Sequence, residues 1–205
     1  LTMILKYVLR SFLKRPFLFL IKIIGLSLSL TCILFIALFL KNELSYDEFH
    51  AKHNQIYRIT FTDPGFLGGK HFARIYRPGY IPDMKDNLPQ IENFVRLEPI
   101  RGDIKHHEQY INVKEAFRCD STFFQIFDAE LLAGKPDNVL NDPNTMVVSE
   151  GFAKRIFGSD NPIGQVLTLP SGQFYGEDTD FLIRGIMRDF PSNSHFHPDF
   201  LVTFP

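Results

Sequence analysis

The chain has no tryptophan and only two cysteines in 205 residues. Cys32 sits inside a long apolar run and Cys119 far outside it, which excludes the disulfide framework of a small secreted fold. Acidic residues are missing from the front of the chain, the first being Glu43. No phosphate-binding glycine loop is present either. Gly68-Gly69-Lys70 lacks the spacing of a Walker A loop, and Gly134-Lys135 is followed by Pro136 where Ser or Thr is required. Any ATP must therefore be bound by another chain, and these glycines read as turns. Basic clusters are absent beyond residue 22, and phosphate backbones need clustered Lys and Arg, so nucleic acid is excluded as a partner.

Catalytic and metal-binding patterns are equally thin. Of the seven histidines, His106 and His107 are adjacent and on a strand face opposite ways, whereas His195 and His197 share a face. No Cys or carboxylate stands at a spacing that completes a four-ligand site, so surface or turn histidines are expected. Ser194-His195 with Asp189 or Asp199 spells the parts of a hydrolytic triad, but without the Gly-x-Ser-x-Gly elbow such combinations arise by chance. Glu177, Asp178 and Asp180 read as a solvated face. No catalytic, cofactor-binding or metal-ligating residue is assigned, no cofactor is expected, and the chain is not read as an enzyme.

What is abundant is apolar length. Residues 17–40 contain one charge, Lys22, and 23–40 contain none. At 1.5 Å per residue, about 20 residues cross a hydrocarbon layer about 30 Å thick, so the segment is long enough to span. Lys22 lies near its start, where a long side chain reaches the headgroups. Lys6, Arg10, Lys14, Arg15 and Lys22 give the front +5, leaving 17 basic against 23 acidic residues beyond Lys22. Lys and Arg stay on the cytoplasmic side, which puts the N-terminus inside and the following domain outside. A cleavable signal peptide would have an apolar core of about 7 to 15 residues and a small-residue cleavage site; neither precedes Lys41. Ahead of Pro16, Ile4, Leu5, Val8, Leu9, Phe12 and Leu13 recur at helical spacing. Residues 1–16 thus read as a cytoplasmic amphipathic helix on the inner leaflet, or as an extension of the span kinked at Pro16. Gly25, Ser27, Ser29 and Thr31 allow close approach of partner helices.

Beyond residue 40 the pattern breaks into short runs separated by Gly, Pro, Asn and Asp, as in one folded mixed domain. Its 22 Phe residues, shared with the apolar segment, promise an aromatic core. Alternation predicts strands over 55–62, 71–76, 94–99, 109–113, 145–148, 165–169, 181–188 and 200–204, and helices over 81–88, 121–127 and 149–157. In the last helix Ser149 is the N-cap and Gly158 the stop. Loops are expected over 63–70, 134–144 and 170–180. Helices scattered among strands without a βαβ rhythm favour an α+β fold. Both ends look cut, starting on Leu1 and stopping at Pro205 just after a strand, so the natural protein is expected to continue.

Three stretches carry a resemblance. They are Glu43 to His50 with Asn54 to Ile59; Phe127-Asp128, Leu131 to Pro136, Asp142 to Glu150, Ala153 to Gly158 and Asn161 to Gly164; and Gly185 to Asp189 with Pro191, Asn193 to Phe196 and Asp199 to Leu201. In this order they resemble the MacB-like periplasmic core domain of FtsX-like ABC transporter permeases, in versions common in Bacteroidetes. The resemblance implies a permease subunit in a bacterial inner membrane. Its partners would be a separate cytoplasmic ABC ATPase subunit, membrane lipid, and a second permease in a homodimer or heterodimer. Further spans and a C-terminal FtsX-like domain would follow residue 205. The motif residues themselves read as structural, with Tyr46, Phe49 and Tyr57 packing the membrane-proximal end of the domain. The alternative is a single-pass anchored binding or scaffold domain without an ATPase, distinguished by the absence of further spans.

Overall fold

The computed structural model describes residues 3, 16–62, 71–72, 80–171 and 177–204. The chain divides into two compact units, residues 1–46 and 47–205.

The first unit is dominated by α1, Pro16–Leu44. Proline is well placed at a helix start, where its missing N–H costs nothing. None of the 29 residues of α1 is buried within the structure, and its apolar side chains are exposed all round. It is long and apolar enough to cross a membrane. Its hydroxyls are occupied internally: Ser29 Oγ donates to the Gly25 carbonyl and Thr31 Oγ1 to that of Ser27, both at 2.8 Å. The amphipathic helix expected over 1–16 lies almost wholly outside the described residues.

The second unit is a mixed α+β domain. After a 3₁₀ turn, His53–Gln55, a short pair of strands, β1 (Phe61–Thr62) and β2 (His71–Phe72), runs antiparallel. Helix α2 is Tyr80–Asn87. The remaining strands are β3 (Leu97–Ile100), β4 (Asp103–His106), β5 (Gln109–Asn112), β6 (Ala116–Cys119), β7 (Leu131–Ala133), β8 (Thr145–Ser149), β9 (Val166–Leu169), β10 (Thr179–Met187) and β11 (Phe200–Thr203). Helix α3, Phe123–Ile126, lies between β6 and β7, and α4, Glu150–Phe157, follows β8. The sheet runs β3-β6-β11-β8-β10-β9-β4-β5, with β7 also on β10. Its centre is mixed: β11 is parallel to β6 and antiparallel to β8, and β8 is parallel to β10.

The central strands β8 and β11 are buried at every residue, because both sheet faces are covered. On one face Met146, Val148, Phe200 and Val202 pack with Phe152 and Ala153 of α4. On the other, Val147, Leu201 and Cys119 pack with Phe123 of α3 and with Val139 and Leu140. Strand β10 serves both layers through a bulge. Pairing with β8 shifts between Ile183 and Gly185, and one extra residue reverses the side-chain alternation. Phe181 and Ile183 accordingly join the α4 face, and Met187 the opposite one.

Helix α4 is capped as the sequence predicts: Ser149 Oγ accepts the Phe152 N–H at 3.2 Å, and Gly158 closes the helix at φ 60°. Positive φ also explains the turns at Asn144 (57°) and Gly164 (87°). The 134–144 stretch is a loop, yet Val139 and Leu140 within it are core residues. A Cβ on Gly134 would lie 2.5 Å from Val139 Cγ1, so only glycine lets that loop fold back. The predicted 55–62 strand is corrected to a 3₁₀ turn, an extended stretch and the two residues of β1, and Thr179 and Asp180, expected in a loop, belong to β10.

Candidate functional site

A cluster of long-range polar contacts gathers where the second unit begins. Residues 47–51, here termed the lead-in, follow α1 in the chain after two residues and form a turn. Asp47 takes a left-handed backbone at φ 57°, a conformation that Asp tolerates better than most side chains. Its N–H donates to the Asn193 carbonyl at 3.0 Å. Its carboxylate receives three groups from the far end of the chain: the Ser194 hydroxyl (3.2 Å) and His195 N–H (3.0 Å) on Oδ1, and His195 Nδ1 (2.6 Å) on Oδ2. Burial alone would raise the Asp47 pKa, but the His195 N–H, the His195 ring with its charge, and the Ser194 hydroxyl together hold it below the ordinary carboxylate value.

A second attachment lies one turn on. The Ala51 N–H donates to Asp128 Oδ2 at 2.6 Å, and the Asp128 N–H returns a bond to His50 Nδ1 at 3.1 Å. His50 is 2% exposed, with ring centroids 4.0 Å from Phe49, 5.3 Å from Phe127 and 6.4 Å from Phe190. Phe49 and Ile56 pack against the core face that holds Phe123, Phe127 and Phe190. Asp47 and His50 thus pin the lead-in to two segments distant in sequence, 128 and 193–195.

Of the sequence-drawn triad, Ser194 and His195 meet on Asp47, an acid the sequence reading did not name, while Asp189 and Asp199 are engaged elsewhere. The Ser194 hydroxyl donates to Asp47 and accepts the Phe196 N–H at 3.1 Å. Asp189 Oδ1 accepts the Gly151 N–H in the first turn of α4 at 3.0 Å. Asp199, 8% exposed, accepts the Lys114 N–H at 2.7 Å and Arg155 Nη2 at 3.1 Å. All three acids and the hydroxyl hold backbone in place. His197 is engaged through its N–H, which donates to Glu115 Oε2 at 2.7 Å.

His106 and His107 do not face opposite ways: His107 has left the strand at φ 53°, and the two rings lie 4.3 Å apart, His106 also meeting Phe157. Burial, then the neighbouring His107, lowers the His106 pKa. Asp180 lies on β10 and accepts the Thr168 hydroxyl at 2.6 Å, while Asp178 accepts the Ser171 N–H. Among the described residues no three His, Cys, Asp or Glu gather as a metal site would require. Gly68-Gly69-Lys70 lies outside the described residues. Tyr57, expected to pack, is 82% exposed, whereas Phe49 does pack. The sequence reading passed over Asp47, His50 and Asp128 as functional residues, although all three lie in the stretches that carried the resemblance; the one available signal was that short polar residues sat among aromatics there.

Among the described residues one helix is long and apolar enough to cross a membrane, and in the chain it is followed by a mixed α+β domain whose first residues are pinned to segments 128 and 193–195. The chain belongs to the MacB-like periplasmic core domain family, whose family model matches residues 19–205. Domains of this family are components of ABC transporter permeases. Solved structures are similar. A domain assigned to a permease protein of Porphyromonas gingivalis is 23% identical over 60% of this chain and 57% of its own, with a TM-score of 0.50. The periplasmic region of MacB from Actinobacillus actinomycetemcomitans is 16% identical over 60% and 54%, with a TM-score of 0.43. The extracellular domain of the noncanonic ABC-type transporter YknZ from Gram-positive bacteria is 13% identical over 54% and 52%, with a TM-score of 0.38. The chain therefore spans somewhat more than half the length of the solved structures it matches. No curated protein matches it.

Proposed function

We propose that the chain is the N-terminal part of a permease subunit that couples ATP hydrolysis by a separate cytoplasmic ABC ATPase to movement of its periplasmic domain. The observation that carries the reading is the short, pinned junction in the chain. With only Ser45 and Tyr46 between it and the end of α1 at Leu44, Asp47 is held by three hydrogen-bonding groups from residues 194 and 195. A slack lead-in would absorb displacement, whereas one held in this way would hand any displacement that reaches Asp47 to the segments that it grips. For an ATPase to drive such displacement, its ATP-bound and ATP-free forms must contact the permease differently.

In this reading residues 1–16 lie on the cytoplasmic leaflet, 17–40 cross the bacterial inner membrane in contact with lipid, and 41–205 fold in the periplasm. The basic front and the acidic balance beyond Lys22 support that orientation. A permease dimer, of like or unlike subunits, is the working assembly. The test is affinity capture of the full-length protein from its own host with and without a slowly hydrolysed ATP analogue. An ABC ATPase retained in a nucleotide-dependent way supports the proposal. Capture that retains no ATPase in either condition, with no further spans downstream of residue 205 in the reading frame, overturns it in favour of a single-pass scaffold.

A further inference from the structure

Of the three titratable groups in the lead-in, Asp47, Glu48 and His50, only His50 is buried. The Asp128 N–H points at its Nδ1, so Nδ1 is an acceptor without a proton and the neutral ring carries its hydrogen on Nε2. Nε2 is buried and meets no hydrogen-bond partner among the described residues. Asp128 Oδ2 lies 3.9 Å from Nδ1, and it is the same oxygen that holds the Ala51 N–H. The charged and titratable groups facing the ring are Asp128 from the segment after α3, and Asp47 and His53 from its own segment; from the stretch after β10 it meets the apolar Phe190.

We propose that His50 is a pH-responsive latch whose protonation releases residues 47–51 from the rest of the domain when the surrounding medium acidifies. A proton arriving on Nδ1 sets two donors against each other, since the Asp128 N–H occupies that direction. The nearest anionic oxygen, Asp128 Oδ2, lies 3.9 Å from Nδ1, outside hydrogen-bond reach, so the imidazolium gains it only if the ring or the carboxylate shifts, which disturbs the Asp128 N–H contact and the Ala51 bond on that same oxygen. The cage of Phe49, Phe127 and Phe190 offers the new charge no hydration. In keeping with this geometry, burial lowers the His50 pKa and outweighs the attraction of Asp128 and Asp47. The opened form then binds the proton more readily than the closed form. The closed latch is therefore fully favoured above the ordinary histidine value of 6.5 and is weakened as pH falls below it.

The consequence for coupling rests on the lead-in acting as a joint, as proposed above; the latch itself does not, and is measured without an ATPase. The full chain in detergent micelles is followed by hydrogen exchange from pH 7.5 to 4.5, corrected for intrinsic rates, with the His50 imidazole titrated by NMR in the same sample. Protection of the Ala51 and Asp128 amides is expected to fall by up to about tenfold per pH unit below about 6.5, the slope of one proton, while β8 stays protected. His50→Asn keeps an acceptor near the Nδ1 position but cannot titrate in this range, and should abolish that response. The same pH response in His50→Asn, or a His50 that protonates while Ala51 stays protected, overturns the latch. If the variant does not fold, the wild-type midpoints decide: coincidence of ring titration and amide exposure supports the latch, and separation overturns it.

Discussion

The centre of the sheet and the lead-in are held by opposite kinds of force. Strands β8 and β11 are buried at every position, with apolar layers on both sides. The lead-in hangs on Asp47 and Asp128, two partly exposed carboxylates, and on one buried imidazole. Dispersion and apolar burial do not titrate and are spread over many atoms, whereas a few charge-assisted bonds are directional, sensitive to pH and lost one at a time. With the latch proposed above, this difference would let the first residues of the domain release while the sheet stays folded.

The strongest way to break this contrast is to attack the sheet. Phe200→Ala removes a fully buried ring packed on Phe152 and should cost about 3 to 5 kcal/mol, read by urea denaturation of the full chain in detergent; a loss below about 1 kcal/mol would show that the centre is not where stability resides. Next in size, Asp47→Ala should cost about 1.5 to 3 kcal/mol, the range for bonds to charged groups. That cost should be local, raising exchange at 47–51 and 193–196 and leaving β8 unchanged.

Acid sharpens the same distinction. The folded-state pKa of Asp47 lies below the ordinary 3.8, so its contribution is complete above that value and is lost as pH falls through the lower folded one. Acidification should therefore loosen the lead-in in two stages, His50 first and Asp47 later, with exchange at β8 as the internal control. Smaller again, Ser149→Ala should cost about 1 kcal/mol by removing the α4 cap, seen as a modest fall in the denaturation midpoint. Tyr57→Ser, at an exposed site, should shift stability by no more than about 0.5 kcal/mol; a larger loss would mean that the extended stretch after the lead-in also bears load.

Elements with a local signature were legible in the sequence. The 23–40 run announces α1, Ser149 and Gly158 bracket α4, and apolar runs mark β8 and β11. Three strands were missed for physical reasons. In β4 only Ile104 is buried, β7 has three residues, and β6 carries Arg118, whose partner Glu98 is on β3; each is a strand because a neighbour pairs with it. Strand β3 begins at Leu97, later than predicted, and tolerates Pro99 because it is the edge. The lead-in cluster was the least readable part. Asp47 meets His195 across 148 positions, and nothing in either local pattern names the other.

The internal bonds from Ser29 to Gly25 and from Thr31 to Ser27 bear on how the helix behaves in lipid. With these hydroxyls already satisfied by their own backbone, that stretch of α1 demands no particular neighbour and presents much the same chemistry at every angle around its axis. On the reading proposed above, such a rod would swivel in a bilayer without breaking these two bonds.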